Sequence, residues 1–496
     1  MTDVSAVRHT FAGQRIVIVG LARQGSALAR FFCAQGARVT ITDIQPAERL
    51  QAERAALAAL PVTYLLGGHP FSLLDGCDLL CLSGGVPPET PLPQEARRRG
   101  IPLSNDSLLT LQLACVPIIG ITGSSGKTTT TTLVGEMLRA AGVRPAVGGN
   151  IGTPLIDRLP RPTGSAGSAG GALDAERLVL ELSSFQLQLF DASPQVGAVL
   201  NLTPNHLDRH PSMAHYSAAK ANILRFQSAG DAAVLGADDE VTGRWWREAR
   251  IEIDAGTGQP AVRAPIRARR VGFSLREEVP EGAFLRARDR RLIWRGGGHE
   301  AEVCGAGELR LLGRHNVANV LAACAISGVG GATPAAMRQV ATTFAGVAHR
   351  LELVRELDGV RWYNDSIATS PERVVAALES FSQPLVLLAG GRDKHLPWER
   401  WADLALARVR HLVLFGEAAD LIAGALAAAR GRAGVPESDP PAVHRCRALD
   451  EAVQAAARVA QAGDVVLLSP GGTSFDAYRD FEARGEHYRD LVQELN

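Results

Sequence analysis

The segment from Ile118 to Thr129 constrains the fold of this chain more than any other part of it. It reads Ile-Ile-Gly-Ile-Thr-Gly-Ser-Ser-Gly-Lys-Thr-Thr, which predicts an apolar strand, a glycine- and serine-rich loop and a helix that begins near Lys127. The backbone N–H groups of such a loop, with the positive end of the helix dipole, bind phosphate oxygens. The lysine reaches the outer phosphates, and the hydroxyl of Thr128 is a ligand for Mg²⁺.

The loop departs from the usual spacing in one place. Ile121 stands where a glycine is expected before Gly126, and the glycine lies at position 123 instead. An ordinary helix start is the alternative interpretation, but strand, loop and helix are all predicted together here. The predicted nucleotide-binding residues are Gly123, Ser124, Gly126, Lys127, Thr128 and Thr129.

Length and charge limit the classes of protein that fit. A chain of 496 residues predicts about three domains, which we place at residues 1–113, 114–347 and 348–496. Lys+Arg and Asp+Glu both number 52, which argues against nucleic acid or an anionic membrane as the main partner. No apolar run is long enough to span a bilayer, and the polar start does not read as a secretory signal.

The cysteines indicate a reducing compartment. There are seven, scattered without metal-binding spacing and mostly among apolar neighbours. An odd, dispersed set predicts reduced, buried thiols and a cytoplasmic protein.

The first domain begins with a βαβ pattern. A strand at 16–20 leads into an apolar helix through Phe32, and a second strand at 39–42 ends in Asp43, as in dinucleotide-binding units. Ala22 replaces the second glycine of that motif, so a βαβ unit without a ligand is the alternative. A further strand at 79–82 ends in Ser83-Gly84-Gly85, a loop suited to anions.

The other two domains also alternate strands and helices. In the central domain we predict strands at 178–182, 196–202 and 232–235 in a parallel sheet, a surface loop at 163–171 and short antiparallel strands within 250–302. In the third we predict strands at 385–389, 412–415 and 465–468 and a helix at 448–462. The predicted fold is α/β, with Rossmann-like first and third domains and a central domain of the P-loop ATPase type.

Charged side chains near predicted strand ends are candidates for chemistry. Glu181 ends a buried strand of the P-loop sheet, where a carboxylate can hold Mg²⁺, or can simply be solvated. His206 lies in Asn-His-Leu-Asp-Arg-His, an ion or phosphate site or a satisfied loop. Lys220 reads as a solvated helix lysine. Arg350 could pair with a phosphate and Lys394 with a carboxylate, or each could form a surface ion pair.

Two amides fall on one face of the helix that follows Gly313. Asn316 and Asn319 are three residues apart, so they could read a purine or cap the helix.

Taken together, these segments resemble the Mur ligase family from Val19 to Phe481. The motifs that carry the resemblance are Gly20–Gly25, Gly120–Thr129, Gly148–Gly152, Glu181–Gln186, Asn205–His210, Ala218–Lys220, Leu312–Asn319, Ala348–Arg350, Asn364–Thr369, Gly390–Lys394 and Leu467–Pro470. Glu-Leu-Ser-Ser-Phe-Gln, which begins at Glu181, is typical of members that add D-glutamate.

The resemblance implies an ATP-dependent ligase of peptidoglycan precursor synthesis. It would join D-glutamate to UDP-N-acetylmuramoyl-L-alanine through an acyl phosphate. We also expect a cytoplasmic monomer. The L-glutamate-adding variant, folylpolyglutamate synthetase and, in other classes, a P-loop regulatory NTPase or a nicotinamide oxidoreductase are the alternatives.

The resemblance also implies roles for individual residues. Thr128, Glu181, His206 and a carbamylated Lys220 would hold two Mg²⁺ ions, and Asn316, Asn319, Arg350 and Asp365 would complete the ATP site. Residues for the UDP substrate would be Arg23, Asp43, Ser83, Gly85, Asn150 and Ser183. Residues for glutamate would be Thr369, Lys394, Ser474 and Phe481.

Three positions depart from the pattern of the family. Gly84 replaces a proline, Asn205 an acidic residue and Ile367 a lysine. The last removes a cation close to the reacting centre.

Overall fold

The computed structural model describes residues 11–150, 152–159, 174–204, 210, 212–253, 262–311, 313–394 and 396–495. The chain forms two compact units, of which one ends at Phe344 and the other begins at Ala345. The predicted three-domain bounds remain a prediction. Across the described residues, no helix is both long enough and apolar enough to cross a membrane. The predicted surface loop at 163–171 lies outside the described residues.

The first unit begins with a five-stranded parallel sheet. Its buried apolar strands pair in the order β3-β2-β1-β4-β5, which confirms the predicted βαβ pattern. The elements are β1 (Arg15–Val19), α1 (Arg23–Ala34), β2 (Arg38–Asp43), α2 (Gln51–Ala55), β3 (Val62–Leu66), β4 (Leu79–Leu82), α3 (Pro91–Arg98), β5 (Leu103–Ser104) and α4 (Asp106–Leu113).

The same unit continues into a nine-stranded sheet. Its first elements are β6 (Ile118–Thr122), α5 (Lys127–Ala140), β7 (Pro145–Gly149), β8 (Arg177–Glu181), α6 (Ser184–Leu187), β9 (Val196–Val199), α7 (Met213–Arg225), β10 (Ala232–Gly236) and α8 (Glu240–Glu248). A two-stranded antiparallel ribbon follows, made of β11 (Arg250–Ile253) and β12 (Val262–Pro265). The remaining elements are β13 (Arg269–Ser274), β14 (Gly282–Arg286), β15 (Arg291–Gly296), β16 (His299–Gly305), α9 (Arg314–Val329) and α10 (Pro334–Thr343).

The strands predicted to form a parallel sheet are parallel, and the sheet as a whole is mixed. The strand order is β16-β15-β14-β13-β10-β9-β6-β8-β7, and the β14–β15 and β15–β16 pairs are antiparallel. Short turns join these last strands, and such turns allow only antiparallel pairing. The prediction of antiparallel strands in 250–302 is therefore confirmed there, whereas β13 is parallel to β10.

The second unit is a six-stranded sheet with helices on both faces. The strand order is β17-β18-β22-β19-β20-β21, parallel except for β17 against β18. Its elements are β17 (Glu352–Leu357), β18 (Val360–Asn364), α11 (Pro371–Leu378), β19 (Leu385–Gly390), α12 (Glu399–Arg408), β20 (Val409–Phe415), α13 (Ala419–Ala433), β21 (Ala442–Arg445), α14 (Leu449–Val459), β22 (Val465–Gly471) and α15 (Phe481–Gln493). The predicted strands and the helix at 448–462 are confirmed, with shifted ends.

All seven cysteines are free, as the sequence predicted. Four are buried, Cys33 and Cys446 are half-buried and Cys115 is exposed, so the prediction of a buried set is wrong at Cys115 and only partly right at Cys33 and Cys446.

Candidate functional site

The predicted phosphate-binding loop lies between β6 and α5, at the carboxyl end of a fully buried strand. Gly126 precedes the helix with φ 78°, and a Cβ there would overlap the side-chain oxygen of Asn319. Only glycine satisfies both conditions. Lys127 folds back over the loop, and its Nζ donates to the carbonyl oxygens of Gly123 at 2.9 Å and Ser124 at 3.2 Å. The loop therefore has the form that cradles an anion.

A chain of hydrogen bonds joins this loop to the N-terminal sheet. Thr128 Oγ1 donates to Glu181 Oε2 at 2.9 Å, and Asn150 Nδ2 donates to Glu181 Oε1 at 3.1 Å. Arg23 Nη2 in turn donates to the carbonyl of Asn150 at 3.4 Å. Glu181 is only 2% exposed, so the interpretation of a solvated strand end is wrong. Hydroxyl, carboxylate and amide oxygens together are the donor set that Mg²⁺ prefers.

Lys220 lies against the same loop. Its side chain is 2% exposed, and Nζ donates to Thr122 Oγ1 at 2.9 Å and to the carbonyl of Gly123 at 3.1 Å. Burial lowers the pKa of Lys220 well below the usual lysine range, and the charge of Lys127 lowers it further. The expectation of a solvated helix lysine is therefore wrong, because the face of α7 that carries Lys220 packs on the end of β6.

A buried polar network that the sequence analysis missed links α7 to the phosphate loop. Ser124 Oγ lies 3.0 Å from the hydroxyl of Tyr216 and donates to the carbonyl of Thr203 at 2.9 Å. The His210 ring packs edge-on against Tyr216, and its Nε2 lies 2.9 Å from Ser184 Oγ. The sequence did carry one signal for this network: Tyr216 stands four residues before Lys220, so the two side chains share a helix face.

The two amides predicted to share a helix face do so. Asn319 Nδ2 donates to Asn316 Oδ1 at 3.0 Å on α9. Asn319 also lines a cavity of about 220 Å³ at the ends of β9, β10 and β13, next to the phosphate loop. Asn201, Asp238 and Phe273 line the same cavity, which has the polar and apolar walls that a nucleoside needs. Thr129, by contrast, is buried in the first turn of α5.

In the N-terminal sheet, the loops after β1, β2 and β4 are tied together. Asp43 accepts from the backbone N–H groups of Leu21 at 2.7 Å and Gln45 at 2.9 Å. Ser83 Oγ donates to the carbonyl of Gly20 at 2.8 Å. These bonds bring Arg23, Asp43 and Ser83 to one edge of the sheet.

Gly84, which departs from the family pattern, has a defined contact. Its N–H donates to Gln24 Oε1 at 2.7 Å, a bond that proline could not make. Beside it, a Cβ on Gly85 would meet no described atom within 4 Å, so space for a ligand remains there.

Ser183 caps the short helix α6. Its hydroxyl accepts from the N–H of Gln186 at 3.2 Å and donates to Gln186 Oε1 at 2.9 Å. The motif that begins at Glu181 thus forms a capping box directly after the predicted metal ligand.

In the second unit, Asp365 follows β18 and is buried. Ser469 donates to its Oδ2 at 2.7 Å and the N–H of Leu351 to its Oδ1 at 3.3 Å. Burial raises the pKa of Asp365 to about 7, although the hydrogen bond from Ser469 and the charge of Arg350 oppose the rise. The structure therefore brings Asp365 against Leu351, the residue that follows Arg350.

The residues predicted for glutamate also gather in this unit. Lys394 Nζ donates to Thr369 Oγ1 at 3.2 Å, and Ser474 is buried in the loop after β22. Phe481 begins α15, and its carbonyl accepts from Ser366 Oγ at 2.8 Å. The carbonyl of Ile367 accepts a hydrogen bond from Nη1 of Arg373 at 2.9 Å. His206 and Asn205 lie outside the described residues.

Three family models match the chain in order. They are Mur ligase MurD-like, N-terminal domain over residues 14–105, Mur ligase middle domain over 121–327, and Mur ligase, glutamate ligase domain over 349–472.

Two relatives match almost the whole chain. The UDP-N-acetylmuramoylalanine–D-glutamate ligase of Symbiobacterium thermophilum is 44% identical over 486 residues, covering 97% of this chain and 98% of the relative. The ligase of the same name from Acetivibrio thermocellus is 36% identical over 494 residues, covering 100% and 99%.

Solved structures share the fold. The UDP-N-acetylmuramate-alanine ligase MurC of Thermotoga maritima aligns with a TM-score of 0.55 at 20% identity, over 97% of this chain and 99% of that one. A murein peptide ligase from Psychrobacter arcticus aligns with a TM-score of 0.52 at 17% identity, over 98% and 100%. The fold and the phosphate loop define a nucleotide-binding α/β protein. The chain belongs to the Mur ligase family.

Proposed function

We propose that this protein is an ATP-dependent ligase that joins D-glutamate to UDP-N-acetylmuramoyl-L-alanine, with ADP and phosphate as the other products. The observation that carries the proposal is the hydrogen-bonded path from the phosphate loop to the N-terminal sheet, through Thr128, Glu181, Asn150 and Arg23. A substrate whose UDP end lies at Arg23 and whose sugar–peptide part lies at Asn150 would then extend towards a nucleotide on the loop. The 44% identity to a relative of that name supports the choice of substrates.

ATP and Mg²⁺ fit the residues present. The triphosphate would lie on the loop from Gly123 to Thr129, with Arg350 and Asp365 as further ATP contacts. Asn316 and Asn319 would serve the nucleoside in the neighbouring cavity. Thr128 and Glu181 would hold Mg²⁺, with His206 and Lys220 serving a second ion. When bound, Mg²⁺ offsets the negative charge of the phosphates.

The first chemical step makes the alanyl carboxylate reactive. A carboxylate is a poor electrophile because its leaving group would be oxide. One carboxylate oxygen attacks the terminal phosphorus of ATP, the bond to ADP breaks, and an acyl phosphate forms. Lys127 must then release the carbonyls of Gly123 and Ser124, which it now contacts, and offset charge on the transferring group.

The second step forms the amide. The amine of glutamate attacks the acyl carbon, a tetrahedral oxyanion forms, and the carbon–oxygen bond to phosphate breaks as the amine loses its proton. Nearby cations lower this barrier. Thr369, Lys394, Ser474 and Phe481 would hold the glutamate, and Lys394 can reach a carboxylate in place of Thr369.

We assign the UDP end of the substrate to the N-terminal sheet. Arg23, Asp43, Ser83 and Gly85 lie on the loops at its carboxyl edge, where α/β sheets bind ligands. Asn150 and Ser183 would contact the sugar–peptide part.

Lys220 is the proposed site of a carbamate. Among the described residues its buried amine donates to neutral oxygens, and its lowered pKa favours the reactive neutral form. The nitrogen attacks the carbon of CO₂, a nitrogen–carbon bond forms as one C=O π bond opens, both oxygens become the carboxylate, and the nitrogen loses a proton to solvent. The product is a carbamate, so the side chain of Lys220 becomes an anion near the cation of Lys127.

A coupled assay of ADP release tests the proposal. The purified protein is given ATP, Mg²⁺ and a panel of UDP-sugar peptides, with D- or L-glutamate. We expect ADP only when both UDP-N-acetylmuramoyl-L-alanine and D-glutamate are present. If ADP were released equally fast with and without an amino acid, the proposed ligase activity would be contradicted. If L-glutamate were used better than D-glutamate, the proposed preference for the D-enantiomer would be overturned. We also propose that the protein is a cytoplasmic monomer. Size-exclusion chromatography with light scattering measures its mass in solution and so tests the monomeric state.

A further inference from the structure

Arg484 is a fully buried cation in the second unit. It lies on α15, is 0% exposed, and donates to neutral oxygens of the described chain. Nε donates to Ser366 Oγ at 3.0 Å, Nη2 to the carbonyl of Ser366 at 2.9 Å, and both terminal nitrogens to the carbonyl of Gly472 at 3.2 Å. A buried guanidinium whose hydrogen bonds go to neutral groups is costly. Burial lowers the pKa of Arg484 to about 10, and the carboxylate of Asp476 nearby partly opposes this.

The guanidinium touches the loops at the carboxyl ends of three neighbouring strands. Ser366 follows β18 and Gly472 follows β22. Gly391 follows β19, and a Cβ there would come within 2.9 Å of Nη1 of Arg484. These loops carry Thr369, Ser474 and Lys394. Arg484 therefore fixes the relative positions of the backbone segments that hold the proposed glutamate contacts.

Several cations lie around the same loops, together with the carboxylates of Asp393 and Asp476. Burial lowers the pKa of Lys394, and the charges of Arg373 and Arg484 lower it further. Arg373 is itself held at the carbonyl of Ile367. Like charges repel one another, and a bound anion relieves the repulsion.

We propose that Arg484 is a positioning residue of the amino-acid site, and that with Arg373 it gives the site around Lys394 its preference for an amino acid carrying a second carboxylate. This inference rests on the proposed function. It adds two residues that set specificity without forming part of the nucleotide site.

The test compares D-glutamate with D-glutamine, its neutral amide analogue of nearly equal shape. The variants are Arg484→Lys, which keeps the charge but loses the forked contacts, and Arg373→Gln, at an exposed position where folding is not at risk. The matched control is Arg430→Lys. Arg430 is also buried and donates to the carbonyls of Pro436, Asp439 and Pro441, but it lies on α13 away from these loops.

We expect both test variants to raise KM for D-glutamate about tenfold, with KM for ATP changed less than threefold. We expect the preference for D-glutamate over D-glutamine in kcat/KM to narrow by a similar factor. Arg430→Lys should lower Tm and leave the preference unchanged.

Two results would overturn the inference: an unchanged preference in Arg373→Gln and Arg484→Lys, or equal effects of Arg484→Lys and Arg430→Lys on KM. A wild-type protein that uses neither amino acid would instead refute the proposed function.

Discussion

Replacing Asp365 by asparagine should remove a pH dependence from the stability of the protein. In the folded state burial raises the pKa of this carboxyl from 3.8 to about 7. The folded state therefore keeps a proton that the unfolded state loses between these two pH values. The contribution of the protonated Asp365 carboxyl to the free energy of unfolding is fully present below about pH 4. It is lost as the pH rises to about 7.

The size of the effect follows from the shift. Each pH unit in this window costs about 1.4 kcal/mol of unfolding free energy, so a shift of roughly three units gives about 4 kcal/mol in all. Between pH 5 and pH 7 the expected loss is about 2.5 kcal/mol, since titration flattens near the folded pKa. The asparagine side chain cannot ionise, and Ser469 can still donate to its amide oxygen.

Urea unfolding at pH 5, 6, 7 and 8 measures the effect. At each pH we take the difference between the unfolding free energy of the wild type and that of Asp365→Asn. We expect this difference to fall by about 2.5 kcal/mol from pH 5 to pH 7 and to level off above pH 7. Asp403→Asn, at an exposed position on α12 of the same unit, is the control and should show no such trend. A wild-type minus Asp365→Asn difference that stays constant within about 0.5 kcal/mol would refute the account of a buried, protonated carboxyl.

Three further predictions concern the phosphate loop. Lys127→Ala should abolish ATP-dependent amide formation while Tm stays within a few degrees, and full activity would exclude a phosphate role. Gly126→Ala should weaken ATP binding at least tenfold in calorimetric titration, because the new Cβ meets Asn319 and the backbone has φ 78°; unchanged affinity would show that the loop does not bind the nucleotide. Lys220→Ala should be nearly inactive and regain activity with a short carboxylic acid, whereas full activity of the wild type in bicarbonate-free buffer would argue against the carbamate.

Local patterns predicted the strands and the phosphate loop well. The run from Ile118 to Thr129 contains its own strand, loop and helix start, so no distant contact was needed to recognise it. The same holds for the strands at 79–82 and 465–468, where consecutive apolar residues indicate full burial.

The burial of individual charges was not predictable in the same way. Lys220 is charged and sits on a helix, and whether its face meets solvent depends on how α7 packs against β6. A signal existed: Tyr216 stands one helical turn before it on the same face, and both are buried. Arg484 likewise precedes Tyr488 and Val492 at four-residue intervals on the apolar face of α15.

The antiparallel edge of the nine-stranded sheet was predicted only in outline, as short antiparallel strands within residues 250–302. Strands β15 and β16 carry arginines and glutamates that pair across their hairpin, such as Arg295 with Glu300 and Arg291 with Glu302. These charges obscured the apolar alternation on which a strand prediction depends. The parallel pairing of β13 with β10 was not part of that prediction, because it depends on contacts between distant parts of the chain.

The oxygen isotope content of the released phosphate tests the central claim most directly. UDP-N-acetylmuramoyl-L-alanine labelled with ¹⁸O in both oxygens of its alanyl carboxylate is turned over with ATP and D-glutamate, and the phosphate is analysed by mass spectrometry. If a carboxylate oxygen attacks the phosphorus held by Lys127, each phosphate carries one ¹⁸O atom. Phosphate that contains no ¹⁸O, released together with amide product, would contradict the account.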